Sequence, residues 1–237
     1  MSLVVIKKVH KTYRLDDVVV CALQDINLRL AKGRFTVISG QSGSGKTTLL
    51  NMIGCIDRPD SGELIVAGCE TNKLSDDELS DFRARNLGYV FQNFNLLPVL
   101  TAYENVEFPL LLSKHPEARR KERVSELLAA VGLSDKMHRR PSELSGGQRQ
   151  RVAIARALAH APQIVLADEP TANLDSRTGA DIIALMRRMQ RDSGTSFVIS
   201  SHDPQMLAEA DDAIRIGDGR VLSASSVAAS EFAEASP

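Results

Sequence analysis

The sequence predicts an α/β fold, with strands buried on both faces of a sheet and helices covering them. Three observations carry this reading. Short β-branched runs recur along the chain, two of them inside continuous apolar stretches. Helical periodicities separate them, and a glycine-rich loop sits between a strand-like run and a helix-like one.

Taken in order, residues 3–6, 26–30, 35–39, 64–66, 88–91, 163–167 and 196–200 read as strands. Val165-Leu166-Ala167 and Val198-Ile199 lie in the continuous apolar runs expected of strands covered on both sides. Ser75-Asp76-Asp77-Glu78 and Thr101-Ala102-Tyr103-Glu104 are capping boxes, in which hydroxyl and carboxylate satisfy the first backbone N–H groups of a helix. Residues 116–131 carry apolar positions at helical spacing. Ile182, Leu185, Met186 and Met189 recur at i, i+3, i+4 and i+7, a stripe that reads as core packing. Residues 93–160 read as mainly helical, an insertion into the sheet domain of residues 1–225. Residues 224–237 are small and polar and are expected to fray, with 226–237 as a flexible tail.

Composition narrows the classes. The chain has 237 residues, one large domain or two small ones. Its formal charge of −1 argues against a strongly basic nucleic-acid binder. With 43% hydrophobic and 25% charged residues it has the makings of a core, not of a disordered chain. Cys21, Cys55 and Cys69 are too few, and odd in number, for a disulfide framework, and none forms a C-x-x-C pair. No apolar run approaches the ~18–20 residues needed to span a bilayer. The first residues lack the order of a signal peptide. The expectation is a cytoplasmic protein that reaches a membrane only through a partner.

Gly40-Gln41-Ser42-Gly43-Ser44-Gly45-Lys46-Thr47 fits G-x-x-x-x-G-K-S/T, after the run 35–39 and before the helical Thr48 to Ile53. Glycines let successive N–H groups turn toward phosphate oxygens, and the helix N-terminus adds a favourable dipole. Lys46 is placed to meet the β- and γ-phosphates and Thr47 to offer a hydroxyl to Mg²⁺. The competing reading is a chance glycine-rich turn, disfavoured by the flanking strand and helix.

Residues 164–169 form an apolar strand ending in Asp168 and Glu169. A carboxylate at such a strand end can hold Mg²⁺. If strand alternation continues, Glu169 points the other way, where it could accept a proton from an attacking water. The alternative is that both acids merely open the turn at Pro170.

Leu144-Ser145-Gly146-Gly147-Gln148 is a second anion-binding helix start: Ser145 and Gln148 form a capping box, and two glycines leave the first N–H groups bare. An ordinary capped helix would not need two glycines, which weaken it.

With L-S-G-G-Q the chain resembles the ATP-binding subunit of ABC transporters over nearly its whole length. That resemblance implies a phosphate-loop ATPase with a RecA-like mixed sheet core, an antiparallel β subdomain and a helical subdomain. It implies ATP and Mg²⁺ as cofactors and a head-to-tail homodimer that sandwiches each ATP between one copy's phosphate loop and the other's signature. It also implies an integral membrane permease as partner, and so a place at the cytoplasmic face of the membrane. By the same resemblance Tyr13 stacks on adenine, a weak local signal against the alternative of a surface tyrosine. Gln92 contacts Mg²⁺ and senses the permease, Asn173-Leu174-Asp175 crosses to the other subunit, and His202 contacts the γ-phosphate. Ser201 and Asn173 depart from the commoner Thr and Ala of the family without removing a chemical role.

The stretches 51–62 and 95–106 are similar to the lipoprotein-release and macrolide-export ATPases and to the cell-division member of that group. Export, or mechanical work outside the membrane, is therefore expected. A cell-division or signalling ATPase that moves no solute is the alternative. A soluble translation or DNA-repair ATPase is disfavoured by the single cassette and the lack of a heptad insertion. Leu96, Leu97, Val99 and Leu100 read either as permease-docking residues or as helical-subdomain core.

Overall fold

The computed structural model describes residues 2–16, 18–112 and 116–225. The tail expected at 226–237 lies outside them. The chain opens with β1 (Ser2–Leu15), β2 (Val18–Ala31) and β3 (Phe35–Ser39), then α1 (Lys46–Ile53). It continues through β4 (Ser61–Val66), β5 (Cys69–Glu70), α2 (Asp76–Asn86) and β6 (Leu87–Val90). Next come α3 (Ala102–Leu112), α4 (Glu117–Ala130), α5 (Gly146–Ala157) and β7 (Ile164–Asp168). The last elements are α6 (Ser176–Ser193), β8 (Ser196–Ser200), α7 (Pro204–Ala208), β9 (Asp212–Gly217) and β10 (Arg220–Ser225). Two compact units divide them: residues 1–80 with 196–237, and residues 81–195.

The first unit holds an antiparallel sheet in the order β2-β1-β4-β5. It also holds a second set of strands in which β3 lies between β8 and β9, parallel to both, with β10 antiparallel to β9. Phe35 and Phe197 stack between β3 and β8 with ring centroids 5.9 Å apart. The start of β3 is pinned by charge. Arg34 donates two hydrogen bonds to the Asp212 carboxylate at 2.8 and 3.1 Å, and the Phe35 N–H donates to Asp211. Helix α1 packs against β2, β4 and β8. Leu49, Met52 and Ile53 are fully buried there.

In the second unit β6 and β7 pair in parallel. Helix α5 packs on β6 and against α3, α4 and α6. Val106, Leu128, Val152, Ile154 and Ile182 fill this core. Leu185, Met186 and Met189 are buried with Ile182, so the periodic stripe of α6 is core packing.

Three strand expectations need revision. The run 3–6 is the start of a 14-residue strand, and 26–30 the end of another. The polar stretch between them is an antiparallel ribbon broken by bulges near residues 6–12, which hide its alternation. The hairpin β9–β10 is absent from the sequence reading because its alternating residues include Asp212, Arg215 and Arg220 and its turn is short. Ala224 and Ser225, expected to fray, are paired in β10.

Candidate nucleotide site

The phosphate loop belongs to the first unit. β3 ends at Ser39 and α1 begins at Lys46, so the eight motif residues span one strand-to-helix turn, as the sequence predicts. Gly45 caps α1 at φ +104°, where a Cβ would sit 2.6 Å from the Ala22 carbonyl oxygen; only glycine fits. No side chain caps this helix start, which leaves its N–H groups for an anion.

Lys46 is buried, and its Nζ donates to the carbonyls of Gly40 (2.8 Å) and Gln41 (3.1 Å). The loop is thereby curled around its own ammonium group. Ser44 Oγ is buried without a partner. Gln41, Ser42, Gly43 and Thr47 are exposed. A cleft of about 530 Å³ is lined by residues 39–44 together with His202, Arg215 and Asp218. The structure therefore brings His202, which follows β8, to the rim of the phosphate loop. The orphaned hydroxyl, the buried cation and the bare helix start fit a polyphosphate.

Tyr13, on β1, is half-buried. Its hydroxyl donates to Asp57 at 2.8 Å, and Thr48 bonds the same hydroxyl.

The second unit carries the other expected residues. Asp168 ends β7 and is half-buried. Glu169 does not continue the strand: its φ is +44°, a left-handed backbone ahead of Pro170. The alternation argument for its direction fails, because the chain turns at this residue. Strain of this kind concentrates where a side chain must be aimed.

Ser145 and Gln148 form the predicted capping box. Ser145 Oγ accepts from the Gln148 N–H at 3.3 Å, and Gln148 Oε1 accepts from the Ser145 N–H at 2.9 Å. Ser145 is exposed. The N–H groups of Gly146 and Gly147 have no acceptor within α5, by helix geometry. Gly147 also has a packing reason: a Cβ there would lie 2.5 Å from Thr178 Cγ2 on α6. The two glycines are thus not explained by anion binding alone.

Asn173 donates to the Gln92 carbonyl and to Asn93 Oδ1, both at 3.0 Å, which joins the expected crossing loop to the segment of Gln92. Asp175 caps α6, accepting from the Thr178 N–H at 3.0 Å. Backbone bonds from Thr178 hold its carboxyl below the usual range.

Beyond exposed Gln92, the loop is built by residues the sequence reading missed. Arg156 donates to the carbonyls of Phe94 (2.8 Å) and Asn95 (2.5 Å), both in left-handed conformation. Asn105, fully buried, accepts from the Leu97 N–H and donates to the carbonyls of Leu97, Leu100 and Thr101. An asparagine inside the otherwise apolar face of α3 was the signal available. None of Leu96, Leu97, Val99 and Leu100 is in the buried core, and Val99 is 74% exposed.

Among the described residues no group of three or more His, Cys, Asp or Glu could hold a metal ion. Mg²⁺ needs no such cage, because one or two oxygen donors plus substrate phosphates suffice. No helix among the described residues is long and apolar enough to cross a membrane.

A sequence model described as ABC transporter matches residues 23–172. The lipoprotein-releasing system ATP-binding protein LolD of Anaeromyxobacter dehalogenans is 46% identical over 215 residues, 90% of each chain. The macrolide export ATP-binding/permease protein MacB of Burkholderia pseudomallei is 48% identical over 206 residues, 87% of this chain but 31% of that one. This chain thus spans about a third of MacB. Among solved structures, the ATP-binding cassette MJ0796 of Methanocaldococcus jannaschii, a dimer bound to ADP and Pi after hydrolysis, superposes with a TM-score of 0.86. That match has 42% identity and covers 94% of this chain and 98% of the other. The chain belongs to the ABC transporter family, of which it is an ATP-binding cassette.

Proposed function

We propose that this cassette hydrolyses ATP as a head-to-tail homodimer. It drives a membrane permease of the lipoprotein-release or macrolide-export kind from the cytoplasmic face. The observation that carries the reading is a pair of helix starts with N–H groups to spare: α1 behind the phosphate loop, which no side chain caps, and α5, whose Ser145–Gln148 box leaves the N–H groups of Gly146 and Gly147. One chain needs one such terminus for its own nucleotide. The second is best used on the γ-phosphate held by another copy.

In this reading Gly40 to Thr48 wrap the phosphates, and Lys46 neutralises charge at the β- and γ-positions. Thr47, Gln92 and Asp168 supply oxygen donors to Mg²⁺, which when bound offsets charge on the phosphate oxygens. Glu169 accepts the proton of the attacking water. His202 donates to the γ-phosphate and Tyr13 stacks on the adenine. Ser145, Gly146, Gly147 and Gln148 close the sandwich from the partner copy. The exposed Leu97 and Val99, on a loop braced by Asn105 and Arg156, support a permease-docking surface beside Gln92.

Glu169→Gln tests the reading. The amide keeps the shape but accepts a proton poorly, so the variant binds ATP–Mg²⁺, turns over orders of magnitude more slowly and stays dimeric. Size-exclusion chromatography with light scattering, in ATP and in ADP, reads this. Adding Ser145→Arg abolishes the ATP-dependent dimer. A dimer that persists in this double variant does not use the signature and overturns the sandwich.

A further inference from the structure

Three charged or polar groups converge on the Tyr13 hydroxyl and ring, and the nucleotide reading uses none of them except Thr48. Asp57 is the centre. Its Oδ2 accepts from the Tyr13 hydroxyl at 2.8 Å. Its Oδ1 accepts from Lys11 Nζ at 2.8 Å and from the Arg58 N–H at 2.7 Å. Both oxygens are therefore engaged.

Lys11 lies over the Tyr13 ring, Nζ 5.2 Å from the centroid, a cation–π distance. Lys11 is fixed in turn by the Arg58 carbonyl (2.8 Å) and Asp60 (3.5 Å). Thr48 bonds the phenol from the first turn of α1.

The backbone explains the convergence. After α1, the N–H groups of Ile56 and Asp57 fold back on the Asn51 carbonyl, at 2.9 and 3.3 Å. The turn carries Asp57 beside β1. Asp60 fastens the same segment to β1, accepting from the Thr12 N–H at 2.6 Å while its own N–H donates to the His10 carbonyl at 2.9 Å. The tyrosine is thus tied to the phosphate-loop helix at both ends, through Thr48 at its start and Asp57 beyond its finish.

We propose that Asp57 is a positioning residue for the nucleobase: through the Tyr13 hydroxyl it sets the tilt of the ring, while Lys11 occupies one face and leaves the base the other. The inference rests on Tyr13 being the base-stacking residue. It explains why an acid outside the phosphate loop stands in the turn after α1. It also makes base affinity depend on a hydrogen bond rather than on ring area alone.

The test compares ADP with pyrophosphate, which lacks the base, by calorimetry on the intact chain with Mg²⁺. Tyr13→Ala weakens ADP about tenfold or more and leaves pyrophosphate unchanged. Tyr13→Phe keeps the ring but loses the hydroxyl. Tyr13→Phe and Asp57→Ala each weaken ADP about three- to tenfold, with pyrophosphate again unchanged. The double variant is no weaker than either single one, because both remove the same bond. Asp57→Asn keeps one acceptor oxygen for the phenol but turns its NH2 toward the Lys11 and Arg58 donors, so it recovers only part of the affinity lost in Asp57→Ala. If the single effects of Asp57→Ala and Tyr13→Phe multiply, or if Asp57→Ala weakens pyrophosphate equally, Asp57 does not act through Tyr13. If Tyr13→Ala leaves ADP unchanged, the base-stacking reading itself fails. Glu63→Gln, which removes the charge of an exposed residue paired with Lys7, serves as a control and binds ADP as the parent does.

Discussion

Asp57 shows how a single carboxylate is held charged. Burial works to raise its pKa, but hydrogen bonds from Lys11, Tyr13 and the Arg58 N–H outweigh that and hold it below the ordinary value. A depressed folded pKa gives stability that is present in full above the unfolded value, about 3.9. That stability is lost as pH falls through the folded one. The difference in urea-unfolding free energy between wild type and Asp57→Asn is therefore greatest near neutral pH and shrinks in acid below about pH 4. A difference that stays constant to the acid limit would mean that Asp57 stabilises by shape, not charge. At this scale the sequence was legible where spacing alone fixes a role. Gly45, Lys46 and Thr47 sit where their motif puts them, because a strand-to-helix turn of fixed length admits little else. The direction of Glu169 was not legible: one left-handed residue ends the alternation on which the reading relied, and nothing in Ala-Asp-Glu-Pro states that φ turns positive.

Helix starts were readable because their chemistry is local. Ser75 and Glu78, Thr101 and Glu104, and Ser145 and Gln148 all make their reciprocal bonds. What the elements do to one another was not readable. Gly147 looks like a helix weakness in sequence and is a contact point in space, with α6 close enough that Thr178 fills the place of its missing Cβ. Gly147→Ala is expected to destabilise the fold by about 1–3 kcal/mol through overpacking, despite alanine's better helix propensity. Gly147→Ala with Thr178→Ser, which removes the offending methyl, regains most of that loss in denaturant midpoint. The loop before α3 follows similar logic. Asn105 supplies four bonds to residues 97–101, and a leucine-rich loop would otherwise have no reason to hold its apolar side chains outward. Asn105→Ala takes from the Leu97 N–H and the Leu100 carbonyl the partner the side chain gave them. Amide hydrogen exchange of residues 97–101 then rises at least tenfold, while α6 keeps its protection. Unchanged exchange in the loop would show that Arg156 holds it alone.

For the molecule as a whole, the order of motifs was enough to place the chain in its family, and a helix-rich insertion was visible as a gap between strand signals. The extent of the second unit was not, because its strands β6 and β7 carry the same apolar run as those of the first. The first unit is assembled from both ends of the sequence. Its central strand β3 is made early, yet both partners, β8 and β9, come after residue 195. Ribosomes add about 5–20 residues per second, so β3 waits on the order of ten to thirty seconds with two open edges before either neighbour exists. During that interval Phe35, Val37 and Ile38, buried in the finished fold, are open to mispairing with another nascent chain. The phosphate loop that follows β3 acquires its rim of His202, Arg215 and Asp218 only once β8 and β9 have been made, so the cleft around the phosphates is the last part of this unit to close.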